Sequence, residues 1–184
     1  MIRVEHFFVL TFNLMLMLHI KNAAPKDIDL IRELTMQVWP QTYTPILGPV
    51  QVQYMLNKFY HPEVLAQQMQ DGQNFIVCYS DDIPAAFAAF EEIEQGLFKL
   101  HKIYILPGHQ GKGVGKYLVD HIAAVISGNG TTQLRLNVNR YNKSAIGFYE
   151  KIGFKNIGDE DIDIGGGYFM NDHILQLAVP YADK

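Results

Sequence analysis

A glycine-rich turn at residues 110–115 is the stretch whose residue types most clearly suggest chemistry. It reads QGKGVG and follows an apolar run that ends at Leu106, while an amphipathic segment starts at Val114. This order predicts a helix that begins just after a strand ends. The first turn of a helix carries unpaired N–H groups and partial positive charge, and glycines there leave room for a ligand. The turn therefore predicts a binding site for a phosphate or pyrophosphate.

Two common phosphate-binding patterns do not fit this turn. A P-loop, GxxxxGK[ST], that started at Gly108 would need lysine where Val114 stands. The dinucleotide pattern GxGxxG fails at its third glycine, because Lys116 or Leu118 occupies that position. A glycine-rich helix start that binds nothing remains the alternative for this turn taken alone.

A second stretch, residues 139–154, reads NRYNKSAIGFYEKIGF. It follows a predicted strand in which Leu134 and Leu136 alternate with polar residues, and Asn142 can cap a helix that starts after it. The apolar side of that helix carries Tyr149, whose phenol can donate or accept a proton. The alternative for Tyr149 is a packed aromatic residue with no chemical role.

Together the two stretches resemble the GNAT superfamily of acyl-CoA-dependent N-acyltransferases. The pyrophosphate-loop pattern (Arg/Gln)-x-x-Gly-x-(Gly/Ala) is met by Gln110, Gly113 and Gly115. The pattern Asn-x-x-Ala-x-x-Phe-Tyr-x-x-x-Gly-Phe is met by Asn142, Ala145, Phe148, Tyr149, Gly153 and Phe154. Two motifs about 30 residues apart, in the expected order, are more specific than either one alone. The resemblance covers roughly residues 17–179.

The resemblance implies that acetyl-CoA is the co-substrate and lies where two parallel strands, within residues 100–106 and 134–139, splay apart. The strand backbone would bind the pantetheine amides, and the turn would bind the pyrophosphate. Asn142 would contact the coenzyme, cap its helix, or do both. The residues expected to contact the coenzyme are Ile103, Tyr104, Ile105, Gln110, Gly111, Lys112, Gly113, Val114, Gly115, Lys116, Asn139, Asn142, Ala145 and Phe148.

The same resemblance implies direct attack of a neutral amine on the thioester, without a covalent enzyme intermediate. Tyr149 is then expected to protonate the departing thiolate. A general base is less clearly marked, and Glu92 and His101 are the candidates. A hairpin glutamate is often only solvated. The seven histidines show no spacing typical of a metal site, so no metal is expected.

The acceptor is expected to be a small molecule with a primary amine. The segment 159–172 resembles that of PaiA-type polyamine N-acetyltransferases, and Trp39, Thr42 and Tyr43 fit the same group. Acidic side chains in that segment would attract a polyammonium ligand, or they merely keep a hairpin soluble. A non-catalytic acyl-CoA-binding sensor on the same fold is the alternative function.

Composition places the chain among ordinary globular proteins, with 184 residues, 48% hydrophobic and 18% charged. A net charge of −4 argues against a nucleic-acid partner. The single cysteine, Cys78, cannot form an intrachain disulfide, which favours a reducing, cytoplasmic location. The apolar run from Phe7 to Leu18 is too short to span a membrane, although a signal peptide is an alternative. We expect residues 1–16 to be an N-terminal extension and residues 17–184 to form the acetyltransferase domain.

The predicted helices and strands that carry these residues alternate along the chain, which indicates an α/β fold. The resemblance implies a central mixed sheet of six to seven strands, largely antiparallel, with a splayed parallel pair and flanking helices. One helix is expected to end near Trp39-Pro40, with a loop over residues 41–49 and another helix over residues 50–60. Gly128-Asn129-Gly130 is expected to end the helix that follows the glycine turn. Many members of the family dimerise through sheet edges, so a homodimer is an alternative to a monomer.

The apolar face of the helix after the glycine turn is expected to carry Val114, Tyr117, Leu118, His121, Ile122 and Val125.

Overall fold

The fold is taken from a computed structural model that describes residues 17–127 and 132–180. The expected N-terminal extension at residues 1–16 and the expected helix end at residues 128–130 lie outside these ranges. No helix in the two ranges combines the length and the apolar character that a membrane crossing requires.

A single mixed sheet of seven strands forms the centre of the protein. Its order is β1-β2-β3-β4-β5-β7-β6, and β4 and β5 are the one parallel pair. This agrees with the predicted architecture. The strands are β1 Leu18–Asn22, β2 Asn74–Ser80, β3 Ile83–Glu94, β4 Leu97–Ile105, β5 Thr132–Asn139, β6 Lys155–Gly165 and β7 Tyr168–Val179.

The first helix is longer than predicted. The expected end near Trp39-Pro40 and the expected loop over residues 41–49 are wrong, because helix α1 continues from Ile28 to Phe59. The chain leaves helical geometry at Gly48, whose φ of 78° suits glycine, and Pro49 restarts the helix. Pro40 removes one backbone donor, but Trp39 beside it is only 4% exposed, and this burial offsets the lost hydrogen bond. The other helices are α2 Pro62–Gln70, α3 Val114–Ile126 and α4 Lys143–Lys151.

Two apolar layers cover the sheet, one on each face. Helices α3 and α4 pack on one face, where Leu134, Leu136 and Val138 point inward from β5. Helices α1 and α2 pack on the opposite face, around Phe75 and Phe87. Cys78 belongs to the first layer, and burial raises the pKa of its thiol to about 11, so it behaves as a core side chain.

The buried face of α3 differs from the predicted one. Tyr117 and Val125 were expected inside, yet they are 37% and 56% exposed. Tyr117 instead lies at the margin of the sheet, where its hydroxyl donates to the carbonyl of Leu18 at 3.1 Å. The helix therefore faces the sheet with a stripe rotated to one side of the predicted one. The residues that it buries are Val114, Leu118, Val119, Ile122 and Ile126.

Candidate active site

A wedge-shaped gap opens in the middle of the sheet. β4 and β5 pair only from Leu97↔Gln133 to Leu100↔Leu136. Beyond that point residues 102–105 stay paired with β3, and residues 137–139 stay paired with β7, so the two strands diverge. A bulge in β4 coincides with the start of the gap, since Ala89 pairs with Lys102 while Phe90 pairs with Leu100. The extra residue, His101, bends and twists the strand there.

The edge of β4 that faces the gap carries free backbone groups. The N–H of Leu106 donates to the carbonyl of Ala85 on β3 at 2.9 Å. Because hydrogen-bonding direction alternates along an antiparallel pair, the N–H and C=O of Ile103 and Ile105 point away from β3, toward the gap. The carbonyl of Ile105 accepts from the Gln110 side chain at 3.0 Å. The other three groups are left for an extended ligand that lies along the strand.

The glycine turn presents a row of backbone donors. In the part of the chain that the structure describes, the N–H groups of residues 111–116 have no protein acceptor. Gly111 and Gly113 have φ angles of 72° and 87°, and a Cβ built on either would meet nothing within 4 Å. An open row of amides at a helix start fits a polyphosphate.

Gly115 serves a purpose that its two neighbours do not. A Cβ at this position would lie 2.9 Å from Cζ of Phe148 and 3.4 Å from Cδ1 of Ile105. The ring of Phe148 therefore rests directly on the first turn of α3. Gly115 lines the cleft as its two neighbours do, and it also makes room for the Phe148 ring of α4. The contact between Gly115 and Phe148 therefore joins the two sequence motifs.

The gap continues into a cleft of about 1050 Å³. Its walls come from α1, α2, β4, the glycine turn, β5, α4, β6 and β7. All the residues predicted to contact the coenzyme line this cleft except Lys112 and Val114. The side chain of Val114 is 1% exposed in the core, so only its backbone N–H faces the turn. Lys116 lines the cleft, but its ammonium pairs with Asp120 at 2.6 Å on the surface of α3.

Tyr149 lies in the cleft and is 7% exposed. Its ring packs edge-on against Phe154, with centroids 5.4 Å apart. Its hydroxyl makes no hydrogen bond to any residue of the two described ranges. Burial raises the pKa of this phenol, and the nearby Tyr43 raises it further. The phenol thus stays protonated at neutral pH, as a proton donor must.

The two asparagines of the second motif hold the chain between β5 and α4. Asn142 is the N-cap of α4, because its Oδ1 accepts from the N–H of Ala145 at 3.2 Å. The side chain of Asn139 accepts from the N–H of Tyr141 at 3.0 Å. Both residues also line the cleft, so their structural roles are compatible with contact to a ligand.

The structure separates the two predicted base candidates. Glu92 does not line the cleft, since its carboxylate lies at the β3–β4 turn and accepts from the N–H of Gly96 at 2.9 Å. His101 lines the cleft, and its Nε2 lies 2.7 Å from the carboxylate of Glu91. Burial lowers the pKa of His101, while Glu91 opposes this effect, so neutral imidazole is favoured at neutral pH. In the ranges that the structure covers, no three His, Cys, Asp or Glu side chains gather as a metal site would need.

Sequence reasoning missed Asp172 as an individual site residue. It stands opposite Asn139 on β7, is 6% exposed and lines the cleft. Burial raises the pKa of its carboxyl to about 6, with a smaller contribution from Glu160. Its charge also raises the pKa of Tyr43, which places it in the same cluster as Tyr149. In the sequence it was only one member of an acidic segment.

The other acids of that segment point elsewhere. None of the carboxylates at residues 159–163 lines the cleft. Asp159 lies 2.6 Å from Nδ1 of His173, and Asp161 pairs with Arg140. Glu160 accepts from Asn137 at 3.0 Å. These acids therefore bind neighbouring strands of the sheet, while Trp39, Thr42 and Tyr43 line the cleft.

Comparison with known proteins agrees with this geometry. A family model described as the acetyltransferase (GNAT) domain matches residues 43–166, which is more than half of the chain. Streptothricin acetyltransferase of Streptomyces lavendulae is 31% identical over 112 residues, which are 60% of this chain and 59% of that protein. Spermidine N(1)-acetyltransferase of Thermoplasma acidophilum is 25% identical over 158 residues, which are 83% of this chain and 95% of that protein.

A solved structure shows the same fold. It is the PaiA N-acetyltransferase from Thermoplasma acidophilum in complex with coenzyme A. The TM-score is 0.73 at 23% identity, and the match covers 88% of this chain and 99% of that one. With the family match over the cleft-forming region, these findings show that the chain belongs to the GNAT family of acetyltransferases.

Proposed function

We propose that the protein transfers the acetyl group of acetyl-CoA to the primary amine of a small molecule by direct attack in a ternary complex. The observation that carries this proposal is the position of Tyr149. Its protonated and unpartnered hydroxyl lies in a cleft that also holds the free edge of β4 and the free amides of residues 111–116. One ligand with a polyphosphate, an extended amide-bearing arm and a thioester would use all three features.

The coenzyme would be held mainly by backbone groups. The N–H row at residues 111–116 would bind the pyrophosphate, and Ile103 and Ile105 would bind the amides of the pantetheine arm as an added strand does. Phe148 and Ala145 supply the apolar wall on the α4 side. Since these are mostly main-chain contacts, recognition depends on the conformation of the turn and on the separation of the strands.

Catalysis would come chiefly from holding the two reactants together. The amine nitrogen forms a bond to the thioester carbonyl carbon, and the carbon–sulfur bond breaks. The phenol of Tyr149 donates its proton to the leaving sulfur, and the amine loses one proton. The carboxylate of Asp172, which belongs to the same cluster as Tyr149, attracts the acceptor amine and accepts that proton. His101, held by Glu91, is the second candidate for the proton acceptor.

Thiol release with acetyl-CoA and a panel of primary amines tests this function, and the panel includes spermidine because a relative bears that name. We expect turnover with at least one amine. Tyr149→Phe should lower kcat by about 100-fold, because general acids contribute ~10²–10⁴-fold. Calorimetry should show unchanged acetyl-CoA binding. Tyr141→Phe is the matched control, since Tyr141 is 67% exposed and lies outside the cleft.

The alternative, a non-catalytic acyl-CoA-binding sensor, gives a different pattern. Such a protein would bind acetyl-CoA with a measurable Kd but release no thiol with any amine. Full activity of Tyr149→Phe would leave the transferase proposal standing but would remove Tyr149 from it.

A further inference from the structure

A buried lysine occupies the α2 end of the cleft. Lys102 is 7% exposed and lines the cleft. Its ammonium lies 5.5 Å from the ring centroid of Phe75 and 5.8 Å from that of Tyr60. Within residues 17–127 and 132–180, no carboxylate lies within 4.0 Å of it. Glu91 is the carboxylate near enough to affect its pKa, but Glu91 is already paired with His101.

The bulge in β4 explains why this lysine faces the cleft. Without it, Lys102 would share the sheet face of Leu100, because residues two apart in a strand point the same way. The extra residue at His101 reverses this, so Lys102 points to the α1 and α2 side beside Phe75. The bulge at the start of the gap therefore also places the ammonium of Lys102 in the wall of the cleft.

Two glutamine side chains line the same cleft as Lys102. The Oε1 atoms of Gln68 and Gln73 are buried and have no hydrogen-bond partner among the residues that the structure describes. Both side chains line the cleft, and the backbone N–H of Gln73 donates to the carbonyl of Gln68 at 3.0 Å. Each side-chain amide also offers N–H donors. The unpartnered Oε1 atoms are acceptors and do not themselves bind an anion, whereas the amide N–H groups of the same side chains and the ammonium of Lys102 are donors that line the cleft.

The balance of charge in the cleft points the same way. Asp172 is the one carboxylate among the lining residues that the structure describes, whereas four lysines line the cleft, namely Lys99, Lys102, Lys116 and Lys151. A ligand with several ammonium groups would find one favourable carboxylate and four lysines. Burial lowers the pKa of Lys102 to about 8, so the lysine is still largely charged at neutral pH and gains from an anion brought beside it.

From this arrangement we infer that the acceptor carries an anionic group, such as a carboxylate, that Lys102 binds while Asp172 binds the reacting amine. This inference rests on the proposed function and adds the acceptor's chemical class. Asp172 lies on β7 and Lys102 on β4, with β5 between them. Two regular strand spacings are about 10 Å, and β4 and β5 diverge beyond Leu100, so the separation exceeds that value and the anion and the amine stand at opposite ends of an extended molecule.

Three acceptors of one length provide the test, because they differ only in the group at the far end. They are 8-aminooctanoate, octylamine and 1,7-diaminoheptane, with carboxylate, methyl and ammonium ends. In thiol-release assays with acetyl-CoA we expect kcat/KM to fall in that order, with the carboxylate preferred about tenfold over the methyl group. Lys102→Met should abolish the preference by raising KM for 8-aminooctanoate toward that for octylamine.

Lys102→Met keeps the length of the side chain and removes a buried charge, so we expect it to fold. Lys26→Met, at an exposed position far from the cleft, is the control for net charge and should keep the preference. Equal rates for the three wild-type reactions, or a preference for the diamine, would overturn the anionic acceptor and leave the acetyltransferase standing. Absence of thiol release with every amine would count against the proposed function instead. In that case calorimetry in the presence of coenzyme A tests the anion site without turnover. The inference requires 8-aminooctanoate to bind more weakly to Lys102→Met than to the wild type.

Discussion

Substitution of Gly115 by alanine tests the contact that joins the two sequence motifs. The new Cβ would lie 2.9 Å from Cζ and 3.3 Å from Cε2 of Phe148, which is closer than such atoms approach. The phenyl ring must therefore move. Overpacking of this kind costs ~1–3 kcal/mol, whereas alanine in place of glycine inside a helix gains up to ~1 kcal/mol. We expect a net loss of about 1 kcal/mol in the free energy of unfolding, or about 2–4 °C in Tm.

A matched substitution separates the two terms. Gly147 lies in α4, has helical geometry, and a Cβ there would meet nothing within 4 Å. Gly147→Ala should therefore show the helix gain without the overpacking cost. The difference in unfolding free energy between the two variants then measures the overpacking term, at about 1–3 kcal/mol. Urea denaturation of both variants beside the wild type gives this difference.

The cleft should respond as well. Phe148 lines it, so the displaced ring has room to move where the coenzyme would lie. If the displaced ring must move back before acetyl-CoA can bind, and this movement costs ~1.4 kcal/mol, the Kd for acetyl-CoA rises about tenfold. Phe148→Leu combined with Gly115→Ala should recover part of the stability. If Gly115→Ala were as stabilising as Gly147→Ala, with an unchanged Kd for acetyl-CoA, the contact would be refuted.

Two further substitutions test the site. Asp172→Asn should raise the free energy of unfolding at pH 7 by roughly 2–3 kcal/mol, because burial raises the pKa of Asp172 to about 6 from an ordinary value of 3.8. The folded wild type loses this amount of stability as the pH rises from about 4 to about 6, because the buried carboxyl of Asp172 must ionise. Urea denaturation should therefore show that Asp172→Asn is more stable than the wild type at pH 7 but not below about pH 4. A stability difference independent of pH would contradict this cause. Asn142→Ala should lose about 1 kcal/mol of stability with the cap of α4, and Asn142→Asp should restore it in the same denaturation experiment, since aspartate offers the same acceptor to the N–H of Ala145.

The parts of the site that the sequence predicts are the local ones. The turn at residues 110–115 and the capped helix after Asn142 are set by residues near one another in the chain, and both elements form as predicted. The motif resemblance added the relation between them, which is the parallel pair that separates. The apolar periodicity could not predict which face of α3 packs on the sheet, because Tyr117 hydrogen-bonds to Leu18, which is far away in the sequence.

The parts that could not be predicted depend on register between distant strands. Asp172 enters the cleft because β7 places it opposite Asn139, and the acids before it are taken up by pairing with their own neighbours. Lys102 faces the cleft because one extra residue in β4 reverses the alternation. A bulge of this kind leaves no clear mark in residue types. The continuation of α1 past Pro40 was also hidden, because burial of Trp39 outweighs the local preference of Pro40, whereas the helix predicted over residues 50–60 forms as the part of α1 after Gly48.

The short pairing between β4 and β5 has a mechanical consequence. Strands β1 to β4 form one block and strands β5 to β7 form another, and the hydrogen-bonded seam between them runs over only Leu97–Leu100 and Gln133–Leu136. A ligand that bonds to both β4 and β5 in the gap would link the two blocks beyond this seam. Such a ligand would continue the mixed sheet where the protein's own hydrogen bonds between its two halves end, while the shared core under α3 holds those halves together without it.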